Sequence, residues 1–539
     1  MLIGDRNNID LGSSDFKRFI ENNNLYIDKS IFIEHILQDS SSVLLFTRPR
    51  RMGKSLNLDM LTTFLDFHQK SKHLFKNLHI ESSTFFKECN QHPVIHLDFK
   101  NYSIRDFKYT LENDLAELAD SMIPDEQINI EVKLRIPSHA ERGAGFIVKI
   151  MKNIYDIYGK QTYIIIDEYD KVLMDNLNHP DLEELKSYIS QFLTNALKGN
   201  KYLARGILTG VSKITKESMF SGLNNIVSYD IFTPSIYDDD FSLTDADILD
   251  LVNQEHLQDI KEWYNNMRIG NSKLYNIYSV MSYLKKGTLD PHWVNSGTMS
   301  ILSEMIKTPD RLETITKMLL GKEHIIIELQ PDLELRQITV PYVQDKHFYT
   351  LAIQAGYLTY DPIASTGNSF RDRTKYKVYI PNHESWFVWH DSILEKMHSG
   401  PHRTIYDVFS NIRNTSNFSM YLSEFLSFQL SFFDTGKEIE AIYHSLVFGM
   451  LLTLRYDCTS NGEAGLGRYD LYVKSPEFGI LIEFKMASSV DKLNGRAIEA
   501  LKQIDNKMYY QAHTGPTPLY KIGIACYKKQ CLVITAIHK

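Results

Sequence analysis

The sequence predicts an α/β protein in three parts: a parallel sheet with helices on both faces, a mainly helical middle, and a second α/β core at the C-terminal end. Three patterns carry this prediction. Short apolar runs alternate with helical stretches over residues 1–235, apolar residues recur every three to four positions within 236–400, and a hairpin, a helix and a final strand pair follow within 401–539. A chain of 539 residues is long enough for about three or four domains with separate cores.

The composition is that of a soluble globular protein, with 43% apolar and 23% charged residues. No uninterrupted apolar run approaches the roughly 20 residues of a membrane span, and the first residues lack a charged segment followed by an apolar one. The four cysteines form no CxxC pair and no Cys/His cluster with zinc spacing. We therefore expect a cytoplasmic protein without membrane contact, whose cysteines are reduced thiols.

Charge is distributed unevenly along the chain. The formal net charge is −8, yet residues 401–539 hold 15 Lys and Arg against 13 Asp and Glu, a net of +2 that leaves −10 for the rest. A negative total argues against a protein that coats nucleic acid generally. The C-terminal part is the one expected to approach a polyanion, through a local patch.

The first apolar strand, predicted at 43–46, leads into Arg48-Pro-Arg-Arg-Met-Gly-Lys-Ser55 and then a helix that begins near Lys54. Gly53, Lys54 and Ser55 fit a P-loop, in which backbone N–H groups and a helix N-terminus bind phosphates while the serine hydroxyl reaches Mg²⁺. This predicts ATP as the bound cofactor.

One position departs from the general P-loop pattern, because Arg48 stands where the first glycine is usual. We expect guanidinium contacts from Arg50 or Arg51 to phosphate to compensate. The alternative is that these arginines face solvent or form salt bridges to a lid.

Three further strands are predicted at 94–99, 163–166 and 206–209. The second of them ends in two acids, of which Asp167 is expected on Mg²⁺ and Glu168 beside the hydrolytic water. The third would place Thr209 near the γ-phosphate. An ordinary strand followed by a polar turn is the plain alternative, but the P-loop upstream favours an ATPase.

The middle part shows helical spacing of apolar residues at Leu243–Val252 and Met299–Ile306, and short strand-like runs within 357–380. A helical lid with a small winged-helix-like element fits this pattern, although the sequence does not decide it. Turn residues at Ser399-Gly-Pro401 mark the predicted boundary to the last domain.

Two acids and a lysine form the most informative pattern of the C-terminal part. The runs Tyr469–Val473 and Ile480–Phe484 flank a short turn, so Asp470 and Glu483 are expected side by side across a hairpin. Lys485 shares a strand face with Glu483. Two carboxylates bind Mg²⁺, or Mn²⁺ in its place, and a lysine beside them orients or deprotonates water, which is nuclease chemistry.

These residues, with Glu440, His444 and the run Gly465-Leu-Gly-Arg-Tyr-Asp470, resemble the PD-(D/E)xK nuclease superfamily. In particular, the chain resembles bacterial proteins that join such a module to an N-terminal AAA-ATPase-like domain, a family that shows the same arginine-rich P-loop. The resemblance implies Asp470 and Glu483 as metal ligands, Lys485 as the catalytic lysine, Glu440 as a further acid on the same metal, and a glutamine on the following helix, matched by Gln503.

Two functions are compatible with this sequence. The first is an ATPase that controls a Mg²⁺-dependent phosphodiesterase acting on nucleic acid, with DNA the expected form. The second is an ATP-dependent switch whose nuclease-like domain only binds nucleic acid or a protein partner. The complete set of acids and lysine favours the first. The sequence does not decide between a monomer and a homo-oligomer.

Overall fold

A computed structural model describes residues 2–122, 143–214, 223–293, 324–339, 343–363, 375–397, 408–430, 457–460, 462–528 and 530–538, with single residues at 302, 305, 306, 311, 314, 315, 318, 319, 447 and 451. The chain divides into two compact units. The first comprises Met1–Leu302 and Ile326–Ser385, and the second Ser303–Ile325 and Trp386–Lys539. The domain bounds predicted at 235 and 400 remain predictions.

A five-stranded sheet, parallel throughout, organises the first unit. Its strand order is β4-β5-β6-β3-β7, so one strand separates the P-loop strand β3 from the acid-bearing strand β5. All four predicted strands are present, and the edge strand β7 joins them. A separate antiparallel pair lies near the chain start. The strands are β1 Leu2–Ile3, β2 Tyr26–Ile27, β3 Val43–Thr47, β4 Val94–Asp98, β5 Thr162–Asp167, β6 Leu203–Gly210 and β7 Ile226–Tyr229.

The P-loop strand β3 lies in the centre of the core. Every residue of β3 is buried, and the ring of Phe46 packs against Phe32, Tyr237 and Phe241. Strands buried on both faces by helices are typical of parallel sheets. The helices are α1 Phe16–Glu21, α2 Ile31–Gln38, α3 Lys54–Leu65, α4 Phe107–Met122, α5 Phe146–Tyr158, α6 Lys171–Met174 and α7 Leu182–Leu197.

The middle of the chain contains strands as well as helices. Besides a hairpin, a three-stranded sheet of order β10-β12-β11 is present, and its last two strands are the runs predicted within 357–380. The helix predicted at Met299–Ile306 lies largely outside the described residues. The elements are α8 Asp245–Leu251, α9 Leu257–Tyr264, β8 Met267–Ile269, β9 Ser272–Leu274, α10 Ile277–Lys286, β10 Ile325–Glu328, α11 Asp345–Gln354, β11 Thr359–Ile363, β12 Lys375–Tyr379 and α12 His383–Met397.

A buried carboxyl, Glu384, lies at the start of α12. It is fully buried and accepts hydrogen bonds from the Ser279 hydroxyl at 2.7 Å and from the backbone N–H of His292 at 2.8 Å. Burial raises the pKa of this carboxyl from 4.5 to about 8. The folded protein therefore holds the proton more tightly than the unfolded chain does.

We expect Glu384→Gln to remove a pH dependence of stability. Because the folded pKa is raised, the stability that the protonated carboxyl contributes is present below pH ~4.5 and is lost as the pH rises to ~8. The free energy of unfolding of the variant, minus that of the wild type, should rise across this window by an amount on the order of kilocalories per mole. Denaturant titrations at several pH values measure it, with the exposed Glu255→Gln as control. If the difference in free energy of unfolding does not change with pH, the assignment of Glu384 as a buried acid with a raised pKa is wrong.

The second unit contains a five-stranded mixed sheet with the order β13-β16-β17-β18-β19. β17 and β18 are parallel, and the other neighbours are antiparallel. Helix α14 packs on β17 and β18, while a small hairpin, β14–β15, precedes β16. The elements are α13 Thr415–Leu430, β13 Asp457–Ser460, β14 Glu463–Ala464, β15 Gly467–Arg468, β16 Leu471–Lys474, β17 Gly479–Met486, α14 Leu493–Asn506, β18 Leu519–Tyr527 and β19 Gln530–Ile537.

A row of serines on α13 covers the edge of this sheet. The hydroxyl oxygens of Ser427 and Ser423 accept from the backbone N–H groups of Cys531 and Val533, both at 2.9 Å. These two N–H groups face away from β18 and would otherwise leave an open sheet edge. The serines are four residues apart, so they share one helix face.

Candidate nucleotide site and candidate nuclease site

The turn between β3 and α3 depends on Gly53. Its φ of 79° is in the left-handed region, and a Cβ at this position would lie 2.8 Å from the backbone oxygen of Phe241. Only glycine meets both conditions. The helix begins at the next residue, so its free N–H groups point into the loop, where a phosphate is stabilised.

The Lys54 side chain is folded into the loop and is only 4% exposed. Its Nζ donates to the carbonyl oxygens of Arg48 at 3.2 Å and Pro49 at 3.0 Å, and lies 3.9 Å from Glu168 Oε1. An ammonium group held this way by two neutral carbonyls is positioned to exchange them for phosphate oxygens, which are anionic and stronger acceptors.

Asp167, at the end of β5, connects the P-loop helix with β6. One carboxylate oxygen accepts from the Ser55 hydroxyl at 2.5 Å and the other from the Thr209 hydroxyl. Thr209 is fully buried, and its position near the γ-phosphate remains a prediction. A serine hydroxyl beside a carboxylate is a pair of hard oxygen ligands, which fits Mg²⁺.

Glu168 follows Asp167 with a φ of 53°, an uncommon backbone conformation for a glutamate. Its N–H donates to Asp167 Oδ1 at 2.9 Å. Asp98 is the register partner of Asp167 on β4. Burial, together with the charges of Asp167 and Glu168, raises the pKa of Asp98. Acids are thus concentrated at this end of the sheet, where a divalent cation would neutralise them.

Gly53, Lys54, Ser55, Asp98 and Glu168 border a cavity of about 310 Å³ whose lining combines charged residues with apolar ones. Such a lining suits a nucleotide, which carries a polyanionic tail and a flat base. The apolar and aromatic lining residues are Phe19, Leu25, Tyr26, Ile27, Phe241, Ile277, Tyr278, Met281 and Trp293.

In the second unit, the hairpin of β16 and β17 brings the two predicted acids together. Leu471 pairs with Ile482, so the next position along the register places Asp470 opposite Glu483. Asp470 Oδ2 also accepts from the backbone N–H of Phe484 at 2.8 Å. This bond directs the Asp470 carboxylate toward the strand that carries Glu483.

Glu483 is the centre of a small polar cluster and is only 2% exposed. Its Oε1 accepts from Gln503 Nε2, and Lys485 Nζ lies 3.7 Å from the same oxygen. Lys485 retains 24% side-chain exposure, so this side chain is partly accessible from solvent. A buried carboxylate, a partly accessible lysine and an adjoining aspartate can bind a metal and activate water.

Comparison with known proteins identifies the two domains that contain these residues. Residues 10–220 match the AAA-ATPase-like family model, which is described as a predicted AAA-ATPase. Residues 438–536 match the family model of the PD-(D/E)XK nuclease superfamily. The chain carries an AAA-ATPase-like domain and a PD-(D/E)XK domain. It is also similar along 96% of both lengths to an uncharacterized protein encoded in the vnfD 5′ region of Azotobacter chroococcum mcd 1, at 24% identity over 535 residues.

Two solved structures show more distant similarity. The Walker-type ATPase of Pyrococcus abyssi is 15% identical with a TM-score of 0.33, and the match covers 67% of this chain and 94% of that one. The ORC2 protein of Aeropyrum pernix is 11% identical with a TM-score of 0.25, with 73% and 99% covered. No helix in the described ranges is long and apolar enough to cross a membrane.

The arginine that replaces the first P-loop glycine has a structural role in the ATPase domain. The Arg48 guanidinium is completely buried, donates to the carbonyl oxygens of Thr47, Tyr229 and Tyr237 at 3.0, 2.7 and 3.2 Å, and lies 5.1 Å from the Phe241 ring centroid. Burial lowers its pKa to about 10. Arg48 therefore fixes the P-loop to the end of β7 and to the segment that follows it. In the sequence, Arg48 stood out only because it departs from the general P-loop motif.

Arg48→Ala is expected to destabilise the ATPase domain by about 3–5 kcal/mol, because it leaves three buried carbonyls and nearby acids without their cation. Those acids are Asp230, Asp238 and Asp240. The free energy of unfolding from denaturant titration measures the effect. Arg105→Ala is the matched control, since Arg105 is exposed and a surface arginine contributes little. Equal losses in both variants would contradict this role.

Arg50 and Arg51 both line the cavity. The Arg51 guanidinium lies 4.6 Å from the ring centroid of Tyr278 on α10, and its φ is 63°. Arg50 is half-buried, and its Nε makes no hydrogen bond to any described residue. Phosphate contacts from these arginines remain a prediction, which the position of both at the cavity supports.

In the PD-(D/E)XK domain, a glycine explains how the glutamine helix reaches the acid. A Cβ on Gly523 would lie 2.3 Å from the backbone oxygen of Ala497, so α14 packs directly on β18 only because this residue has no side chain. Gly523 is the register partner of Glu483. The close packing brings Gln503 onto Glu483.

Glu440 and His444, expected on a helix of this domain, lie outside the described residues. Among the residues that are described, no group of three or more His, Cys, Asp or Glu side chains is arranged to hold a metal ion. The described part of the candidate nuclease centre therefore supplies two carboxylates, Asp470 and Glu483. The contribution of Glu440 as a third acid remains a prediction from the family resemblance.

Proposed function

We propose that this protein hydrolyses ATP and that its ATPase domain controls a Mg²⁺-dependent phosphodiesterase that cleaves nucleic acid, with DNA as the expected substrate. The observation that carries the proposal is the Asp470–Glu483–Lys485 arrangement, with Gln503 on the buried acid, in the same chain as a P-loop lysine and serine beside two acids. A cytoplasmic location accompanies this proposal.

In the ATPase domain, Lys54 is assigned to the β- and γ-phosphates, and Ser55 and Asp167 would hold Mg²⁺. Bound Mg²⁺ would neutralise charge on the phosphate oxygens. Thr209 keeps Asp167 oriented through its hydroxyl. Glu168 is half-buried and lines the cavity, which supports its proposed role of orienting the attacking water. Arg50 and Arg51 would add positive charge at the phosphate end.

In the PD-(D/E)XK domain, Asp470 and Glu483 would hold Mg²⁺ or Mn²⁺, joined by Glu440. The metal would supply Lewis-acid stabilisation of the phosphodiester. Lys485 is partly accessible from solvent beside Glu483, so it is the group that would orient the attacking water or take its proton. Gln503 holds the Glu483 carboxylate in place.

A second function is an ATP-dependent switch whose nuclease-like domain binds nucleic acid or a partner without cleaving it. One observation favours it: Glu483 Oε1, one of the two carboxylate oxygens that could bind metal, already accepts a hydrogen bond from Gln503 and lies near Lys485. Metal binding at this oxygen would require the Gln503 side chain to give up its hydrogen bond and move away.

One experiment separates the two functions. The purified full chain is incubated with linear, circular and single-stranded DNA and with RNA, with and without ATP and with Mg²⁺ or Mn²⁺. Metal-dependent cleavage that changes with ATP is expected, and a non-hydrolysable ATP analogue tests whether turnover or occupancy provides the control. Binding of nucleic acid without cleavage under every condition would select the switch. The same preparation in a sizing column tests for a homo-oligomer.

A further inference from the structure

Two cysteines face each other across the last hairpin of the chain. Strands β18 and β19 are antiparallel, with Tyr527 paired to Gln530 beside the turn and Cys526 paired to Cys531 next to them. Neither cysteine is in a disulfide, and their Sγ atoms are 3.2 Å apart. A disulfide bond is about 2.05 Å long, so a small side-chain rotation separates this pair from bonding distance.

The backbone shows that this is the closer kind of cross-strand pair. The Cys526 carbonyl points toward β17 and accepts from the Ala487 N–H at 2.9 Å, while the Cys531 N–H points outward to the Ser427 hydroxyl at 2.9 Å. Neither backbone group is directed at the opposite cysteine. In antiparallel sheets such non-hydrogen-bonded pairs have their Cα atoms about 4.5 Å apart and their side chains closest.

We propose that Cys526 and Cys531 form a reversible thiol oxidation site, which a low-molecular-weight disulfide converts into an intramolecular cross-strand disulfide. The difference in exposure determines which cysteine reacts first, since Cys531 is 8% exposed on the edge strand and Cys526 only 1%. The reagent therefore meets Cys531 first.

The exchange balances without any other reactant. The Cys531 thiolate attacks one sulfur of the reagent, which forms a mixed disulfide and releases the first small thiolate. The Cys526 thiolate then attacks the Cys531 sulfur, which breaks the mixed disulfide and releases the second. The protein loses two hydrogens, and the reagent is reduced to two thiols. Added dithiothreitol reduces the disulfide back to two cysteine thiols and is itself oxidised to a cyclic disulfide.

The site lies on the sheet face opposite the candidate nuclease centre. Lys485 is the register partner of Ala525, which packs under α14 with Ala497. Successive residues of a strand face opposite sides, so Cys526 points away from Lys485 and from α14. The disulfide is therefore expected to form independently of metal and ATP.

The test treats the folded full chain with glutathione disulfide, quenches with acid and maps tryptic peptides by mass. Lys528 and Lys529 lie between the two cysteines, so trypsin separates them and a disulfide appears as one crosslinked peptide pair. We expect this crosslink in the wild type without a lasting glutathione adduct. Cys526→Ser should retain the adduct on Cys531, and Cys531→Ser should leave Cys526 unmodified.

Three results would overturn the proposal. A wild-type protein with a stable glutathione adduct and no crosslink overturns the proposal, as does a protein that does not react. A crosslink that appears only after unfolding in urea also overturns it, because the folded geometry would then not be its cause. Serine is close to cysteine in size, and circular dichroism confirms that each variant remains folded.

Discussion

Lys54→Ala is expected to abolish tight ATP binding, with a loss in affinity of roughly 100-fold or more, since charge-assisted contacts to two phosphates are removed. The lysine is buried in the P-loop at 4% exposure, where two carbonyl oxygens and the neighbouring Glu168 contact its ammonium group. Titration calorimetry with ATP and Mg²⁺ measures the change. Lys54→Met is the matched variant, because it keeps the apolar stem and removes only the charge.

Glu168→Gln, at the same site, should instead keep ATP binding and lose ATP turnover. The amide keeps the shape of the side chain and the phosphate contacts remain, so binding should persist while turnover falls by about 10²–10⁴-fold. Phosphate release measured beside calorimetry separates the two variants. If Lys54→Ala binds ATP as tightly as the wild type does, the nucleotide site is wrongly placed.

The parallel sheet could be predicted because its inner strands are buried on both faces and therefore appear as continuous apolar runs. Thr162–Asp167 is such a strand, and its acidic end identified the metal side of the sheet. Strand β7 lacked this signal, since it lies at an edge and Val227 is 40% exposed. The contact of Asp167 with Ser55 also followed from the motifs, because parallel strands end at one sheet edge.

Other features depend on tertiary contacts that no local pattern records. Arg48 resembles a defect of the P-loop until its three carbonyl partners, two of them far along the chain, are known. The pKa of Glu384 depends on burial between segments about 90 residues apart. The serines of α13 carried a signal that was available, since their spacing of four places Ser419, Ser423 and Ser427 in one polar stripe along the helix.

The candidate nuclease centre, too, could be predicted from the sequence only in part. Asp470 and Glu483 could be paired from the hairpin pattern, and Gln503 from the family resemblance. The close approach of α14 could not be foreseen, because it depends on Gly523 being in register with Glu483. A glycine inside an apolar strand does indicate close backbone approach, but it does not say which helix approaches.

Asp470→Asn or Glu483→Gln is expected to eliminate metal-dependent cleavage, because each replaces an anionic metal ligand by a neutral amide of the same shape. Asp470→Asn keeps an oxygen that can accept from the Phe484 N–H, so the hairpin should remain intact. ATP turnover in the same variants is the control, since the ATPase domain is unchanged. Nuclease assays on the DNA and RNA panel, with Mn²⁺ in parallel, measure the loss.

Lys485→Met should give a different defect from the acid variants. Metal binding, followed by calorimetry or Mn²⁺ paramagnetic resonance, should stay close to that of the wild type, while cleavage falls by about 10²–10³-fold. The exposed Lys492→Met is the matched control. If Lys485→Met cleaves as the wild type does while the acid variants do not, the lysine only balances the charge of Glu483. If neither acid variant changes metal binding, the Asp470–Glu483 pair is not a metal site, and the switch becomes the better account of this domain.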